Sequence, residues 1–118
     1  AGGGPVAVGN LAASRDFTDV RDVVRAYRLL AEVGTPGEVY NVASGVAVPI
    51  AEVAERLCGL ARAPVELRQD PQLFRPVDVP VFVGDASRLR AATGWRPEVR
   101  FETTLVDVLE AWRTRLAG

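Results

Sequence analysis

The sequence contains no histidine, no methionine and no lysine, and its only cysteine is Cys58. Without His or Lys, the usual side chains for proton transfer near neutral pH and for Schiff-base chemistry are missing. An enzyme reading therefore has to place its chemistry outside these residues. One Cys makes no intrachain disulfide, so a reducing, cytoplasmic setting is expected, and Cys58 reads as a small buried hydrophobe. No cluster of soft or imidazole ligands is available for a metal. With no initiator Met, Ala1 is expected to be a cut end. No apolar run approaches the roughly 20 residues that span a bilayer, and there is no signal-peptide layout, so no membrane partner is expected. Neither charge dominates: 14 cationic against 15 acidic side chains leave a net charge of −1. That balance argues against a nucleic-acid partner. What remains is 118 residues, 48% hydrophobic and 25% charged, the make-up of one folded domain.

Along the chain, Ala1–Pro5 is glycine-rich and patternless and is expected to be a flexible lead-in. Val6–Val8 reads as a short strand stopped by Gly9-Asn10. Val20, Val23, Val24, Tyr27 and Leu30 recur at steps of three and four and predict a helix, with Arg21, Asp22, Arg25 and Arg28 opposite. Asp19 is its expected N-cap, Asp22 sits in the favourable first turn, and Gly34-Thr35-Pro36-Gly37 ends it. Glu38–Ala43 predicts a strand apolar on both faces, as in a parallel sheet. Pro49 opens a second helix with Ile50, Val53, Ala54, Leu57 and Ala61 on one face. Val65–Arg68 and Val81–Val83 predict short strands around a proline-rich loop at 69–80. Asp85 caps a helix over 86–93 with Gly94 at its end, and Trp95 is an expected buried anchor. A last helix from Glu102 carries Leu105, Val108, Leu109, Trp112 and Leu116 on one stripe. The expected order is βαβαβ-loop-βαα, an α/β chain without internal repeats.

A dinucleotide fingerprint places glycines between a strand and a helix start. Gly2-Gly3-Gly4 precedes no helix and Gly9 leads into a polar stretch, so no cofactor-binding residue is assigned. No carboxylate pair stands out for hydrolysis. Two polar spots remain: Arg15, between a strand end and a helix start, and Arg75 with Asp78 on a proline-stiffened loop. The planar guanidinium fork suits a diphosphate, and a nearby carboxylate suits a ribose diol. On residues alone, the plainer reading of Arg15 and Arg75 is that they are solvated, or paired with Asp16 and Asp78. Asn41, polar in an apolar strand, reads as a structural hydrogen-bonder.

Several blocks occur in one order: Val8-Gly9-Asn10-Leu11; Arg15-Asp16-Phe17-Thr18-Asp19-Val20-Arg21-Asp22; Val39-Tyr40-Asn41-Val42-Ala43-Ser44-Gly45; Arg75-Pro76-x-Asp78-Val79-Pro80; Gly84-Asp85-x-Ser87-x-Leu89; and Thr93-Gly94-Trp95-x-Pro97. Together they resemble the C-terminal half of the extended short-chain dehydrogenase/reductases that act on nucleotide sugars, the NAD-dependent epimerase/dehydratase family, and within it the GDP-mannose branch. The resemblance implies the C-terminal substrate-binding portion of a Rossmann-type enzyme, with residues 6–118 as a nucleotide-sugar-binding segment. An N-terminal Rossmann lobe, absent from this chain, would hold NADP or NAD and a catalytic Tyr-x-x-x-Lys. With no Lys, that pair is not here, so no catalytic residue is assigned and the segment alone is expected to be inactive and to bind no cofactor.

By position in that family, Arg15 and Arg75 correspond to residues that bind the diphosphate and its neighbours. Asp78 corresponds to the residue that takes the ribose hydroxyls, and Val8 and Asn10 to the strand end that lies along the base. The implied activity is reduction of the C4 ketone of GDP-4-dehydro-6-deoxy-mannose. The 4,6-dehydratases, the UDP-sugar 4-epimerases and a non-catalytic nucleotide-sugar module stand as alternatives. Cut from its Rossmann lobe, the segment is expected to expose an apolar face and to self-associate or melt at low temperature.

Overall fold

The computed structural model of the chain describes residues 4–75 and 79–117. Four three-residue strands and four helices follow one another: β1 (Val6–Val8), β2 (Ser14–Asp16), α1 (Val20–Val33), β3 (Ala47–Pro49), α2 (Ile50–Leu60), β4 (Leu67–Gln69), α3 (Ser87–Thr93) and α4 (Phe101–Ala117), with a 3-10 turn at Pro71–Leu73 before α3. The strands form two separate ribbons. β1 runs parallel to β4 with Val6 opposite Leu67 and Val8 opposite Gln69. β2 runs antiparallel to β3 with Arg15 opposite Val48. Helix α1 packs on α3, and α2 packs on α4 and β3.

The chain is flat and open. Its extents are 51 × 37 × 19 Å and its radius of gyration is 17.3 Å, against roughly 13–14 Å for a compact chain of this length. The core is correspondingly small: Ala26, Ala43, Ala86, Leu89 and Trp95, flanked by Leu29, Leu30, Tyr40 and Val42. Trp95, 1% exposed, is its largest member, as its sequence context predicts.

Local signals hold at the helix ends. The Asp19 carboxylate accepts from the Arg21 backbone N–H at 2.9 Å and starts α1. The N-cap of α3 is Ala86 and not Asp85, which lies one residue earlier and accepts from the Ser87 N–H at 2.9 Å. Gly94 ends α3 in the left-handed region at φ 74°, where a side chain would be strained.

Other expectations are corrected. Glu38–Ala43 forms no strand. Its β-forming side chains express a preference for a pleated surface, and a strand also needs a ladder partner, which none of the described strands provides. The predicted strand at 81–83 reduces to a parallel bridge between Val81 and Ser14. The one at 65–68 sits at 67–69, in register with β1. Strands β2 and β3 are not foreseen from the sequence, because three polar or mixed residues carry no period-two signal. The element order is thus ββαβαβαα.

The faces of the helices also differ from expectation. In α1 the buried positions are Asp22 and Ala26, while Val20, Val24 and Tyr27 are exposed. In α4 only Leu105 of the predicted stripe is buried, and Val108, Trp112 and Leu116 face solvent. Cys58 is half-buried. Periodicity finds the apolar stripes, but among the described residues Val20, Val24 and Tyr27 of α1 and Val108, Trp112 and Leu116 of α4 stay exposed. No described helix is long and apolar enough to cross a membrane.

Candidate functional site

Successive side chains of a strand point to opposite faces, and β2 uses this to separate two clefts. Arg15 lines one of about 220 Å³ together with Asn10, Ala13, Ile50, Leu73 and Arg75. Asp16 lines the other, of about 380 Å³, with Thr18, Asn41, Val42, Ala43, Phe82, Val83 and Gly84.

The first cleft is assembled from three parts of the chain. Asn10 lies just beyond β1, and its side-chain oxygen accepts from the Ala12 N–H at 2.9 Å, shaping the turn into β2. Arg15 is carried by β2, which is fixed by β3 and by the Val81 bridge. Its guanidinium donates to the Ser14 and Val79 carbonyls at 2.8 and 2.7 Å. Arg75 follows the 3-10 turn, which the Asp70 carboxylate caps by accepting from the Gln72 N–H at 3.0 Å. The structure therefore brings together Asn10, Arg15 and Arg75, which the sequence separates by up to 65 positions. Val8 is not in this lining. Its carbonyl accepts from the Asp70 N–H at 2.8 Å, which ties β1 to the start of the 3-10 turn. Asp78 lies outside the described residues.

Two cationic forks beside an amide and a small apolar floor are suited to an anionic group such as a phosphate ester. The cleft is smaller than the roughly 300 Å³ at which whole-ligand pockets begin, so it accommodates part of a ligand.

On the other face, Asp16 is not paired with Arg15. One carboxylate oxygen accepts from the Ser44 hydroxyl and, at 2.9 Å, from the Ser44 N–H. The second accepts from the N–H groups of Gly45 and Gly84 at 2.9 and 3.0 Å. Burial alone pushes this carboxyl up. The Ser44 hydroxyl and the Gly84, Ser44 and Gly45 N–H groups outweigh it and hold it below the ordinary 3.8. Asn41, read from sequence as a structural hydrogen-bonder, is exposed on the wall of this second cleft. Sequence reasoning misses the Asp16–Ser44–Gly84 cluster. The alternation of Arg15 and Asp16 along an extended segment is the available signal.

The starts of α1, α2 and α3 do not fit the pyrophosphate of a dinucleotide cofactor. A pyrophosphate needs free N–H groups at a glycine-opened helix start. The first turns of α1 and α3 are instead occupied by the carboxylates of Asp19 and Asp85, and Pro49 opens α2. Among the described residues no group of acidic, His or Cys side chains is placed to hold a metal ion.

The comparisons with known proteins identify the family. The profile of the family described as GDP-mannose 4,6 dehydratase matches residues 2–108. The chain is 39% identical over 109 residues to the GDP-6-deoxy-D-mannose reductase of Pseudomonas aeruginosa, covering 92% of this chain and 36% of that protein. It is 29% identical to the GDP-mannose 4,6-dehydratase of Sinorhizobium fredii, covering 94% of this chain and 37% of that protein. Among solved structures, RMD from Pseudomonas aeruginosa complexed with NADPH superposes with a TM-score of 0.87 at 39% identity, over 94% of this chain and 36% of that one. A UDP-glucose 4-epimerase from Thermotoga maritima with UDP-glucose superposes at 0.76 with 28% identity, over 95% and 36% of the two chains. The chain thus spans little more than a third of the length of these relatives. On both sequence and fold, it belongs to the GDP-mannose 4,6 dehydratase family of the extended short-chain dehydrogenase/reductases.

Proposed function

We propose that residues 6–118 are the nucleotide-sugar-holding C-terminal part of an NAD(P)-dependent enzyme that reduces the C4 ketone of GDP-4-dehydro-6-deoxy-mannose. The observation that carries this is the convergence of Arg15, Arg75 and Asn10 on one cleft, in a chain 39% identical to a GDP-6-deoxy-D-mannose reductase. Arg15 and Arg75 hold the diphosphate through paired, charge-assisted hydrogen bonds. Asn10 lies along the base, with Val8 supporting it from β1. Asp78 accepts from the ribose hydroxyls.

The role of this part is positional. Binding energy gained at the remote nucleotide fixes the sugar ketone in the geometry that reduction requires. Proton and hydride transfer belong to an N-terminal Rossmann lobe, because this chain has no Lys for a Tyr-x-x-x-Lys pair and its helix starts do not fit a pyrophosphate. The exposed Val20, Val24 and Tyr27 of α1, with Val39 beyond it, are the surface that lobe covers.

Calorimetric titration with GDP tests the reading. Micromolar binding by the protein carrying this segment, weakened at least about tenfold by Arg75→Ala, is expected. Equal binding by the variant overturns the assigned grip. The 118-residue chain alone, given NADPH and GDP-4-dehydro-6-deoxy-mannose, is expected to show no turnover.

A 4,6-dehydratase is the second reading, favoured by the family description itself. Incubation of the whole enzyme with GDP-mannose distinguishes the two: a 4-keto product assigns a dehydratase, and no conversion leaves the reductase.

A further inference from the structure

Asp16 is the most heavily hydrogen-bonded carboxylate on the second cleft, and the proposed function leaves it without a role. Its four donors come from two segments that are remote in sequence: Ser44 and Gly45 beyond the core Ala43, and Gly84 before α3. The geometry around Gly84 explains the arrangement. Ser14 and Val81 form a parallel bridge, with the Ser14 N–H donating to the Pro80 carbonyl and the Phe82 N–H to the Ser14 carbonyl. A parallel ladder continued by one step would direct the Gly84 N–H to the backbone carbonyl of residue 16. It goes instead to the carboxylate of that residue, at 3.0 Å. The side chain of Asp16 thus completes the pairing that the backbone abandons. Close approach is needed for this. A Cβ on Gly84 would lie 2.4 Å from the Cβ of Ala43, a contact that real side chains do not make.

The segment so fastened is the one that seats Arg15. Val79 and Gly84 bracket it. At one end the Val79 carbonyl accepts from the Arg15 guanidinium at 2.7 Å, and at the other the Asp16 carboxylate holds Gly84. Neighbouring residues of one strand therefore clamp both ends of 79–84, one from each face. Arg75 precedes this stretch by four residues.

Resting on the reading of Arg15 as a diphosphate ligand, we propose that Asp16 is a positioning residue for it. By fixing residues 79–84 through Gly84, Asp16 fixes the carbonyl that aims the Arg15 guanidinium into the cleft. Asp16 touches the second cleft and not the first, so it acts through Arg15. A carboxylate fits all four donors, whereas an amide in either orientation turns an NH2 toward at least one backbone N–H.

The test is a double-mutant cycle read by GDP titration and by nucleotide-sugar kinetics on the full-length protein. Asp16→Asn is expected to weaken GDP binding about tenfold and to raise the KM for the nucleotide sugar, with the KM for the nicotinamide cofactor unchanged. In an Arg15→Ala background the same change is expected to alter GDP binding by less than about twofold. An equal loss in both backgrounds overturns the proposal, as does unchanged GDP binding by Asp16→Asn. If Asp16→Asn does not fold, Ser44→Ala decides, since it removes one donor and leaves the carboxylate with three. A loss of about twofold or threefold that disappears with Arg15→Ala is then expected, and a loss that persists overturns the proposal. Failure of the underlying reading shows separately, as unchanged GDP binding by Arg15→Ala alone.

Discussion

The indole N–H of Trp95 donates to the backbone carbonyl of Asp22 at 2.9 Å, while the Asp22 carboxylate turns the other way and accepts the N–H groups of Glu98 and Val99 at 3.0 and 3.1 Å. One residue of α1 thereby holds the whole turn from 95 to 99. Arg25 completes the junction. It pairs with Asp22 at 3.1 Å, donates to the Arg96 carbonyl, and lies 5.7 Å from the centroid of the Trp95 ring.

Removal of either partner therefore destabilises the chain out of proportion to the atoms lost. Asp22→Ala leaves two backbone N–H groups unmatched and removes one of the partners of Arg25, at a cost of about 3 kcal/mol. Trp95→Ala empties the largest core position, at about 3–5 kcal/mol. Urea unfolding of the two single variants and the double variant checks this. Because the residues share one junction, the double variant is expected to lose less than the sum.

A second expectation concerns acid. The Arg21 side chain, bonded to Asp19 at 2.9 Å, holds the Asp19 carboxyl well below its ordinary 3.8; burial opposes this, and Thr104 and the Arg21 N–H add to the lowering. The folded value lies below the unfolded one, so the contribution is complete above about pH 4–5 and is lost as pH falls through and below 3.8. Melting temperature followed from pH 6 to pH 2 is expected to fall more steeply for the parent chain than for Asp19→Asn, in which the cap survives but the charge does not. Equal slopes would show that Asp19 carries no such linkage.

The helix ends and the Trp95 anchor are legible in the sequence because each is set by neighbours within a few residues: Asp19 by the next two N–H groups, Gly94 by its own φ. The buried face of α1 is not. Its apolar stripe, Val20-Val24-Tyr27, is clear in the sequence, yet α1 buries Asp22 and Ala26 instead. Periodicity tells which side of a helix prefers to leave water, and cannot tell whether the surface it prefers is part of the same chain. Glu38–Ala43 fails as a strand for the same reason, since β-propensity describes a residue and a ladder needs a partner. At the site, Arg15 and Arg75 are legible as residue types suited to phosphate. That Asn10 joins them in one cleft is not, because the turn at Asn10 and the ribbon of β2 and β3 have no sequence period.

The exposed stripe gives a third prediction. Val20, Val24 and Tyr27 are 70%, 58% and 62% exposed, and lie at steps of four and three on one face of α1. The chain on its own is expected to self-associate through this face, seen in sedimentation velocity as a concentration-dependent coefficient. Val24→Ser with Tyr27→Ser is expected to shift it toward monomer without loss of helix signal, since both side chains contact mainly solvent. A parent chain that is monomeric, with a sharp melt independent of concentration, would sink this expectation.

The last prediction separates a diphosphate grip from a general attraction of anions. If Arg15 and Arg75 meet the diphosphate as two planar forks, the second phosphate of GDP adds hydrogen bonds that GMP cannot supply. The whole protein is then expected to prefer GDP over GMP. Arg75→Ala is expected to weaken GDP by about 10- to 100-fold, the worth of a charge-assisted hydrogen bond, and to weaken GMP much less, so that the preference shrinks. Arg75→Lys keeps the charge but not the fork, and is expected to recover only part of the GDP affinity and little of the preference. A merely electrostatic role predicts something different: Lys restores both, and the GDP-to-GMP ratio follows ionic strength alone. Titrating both nucleotides into the three proteins at two salt concentrations distinguishes the two.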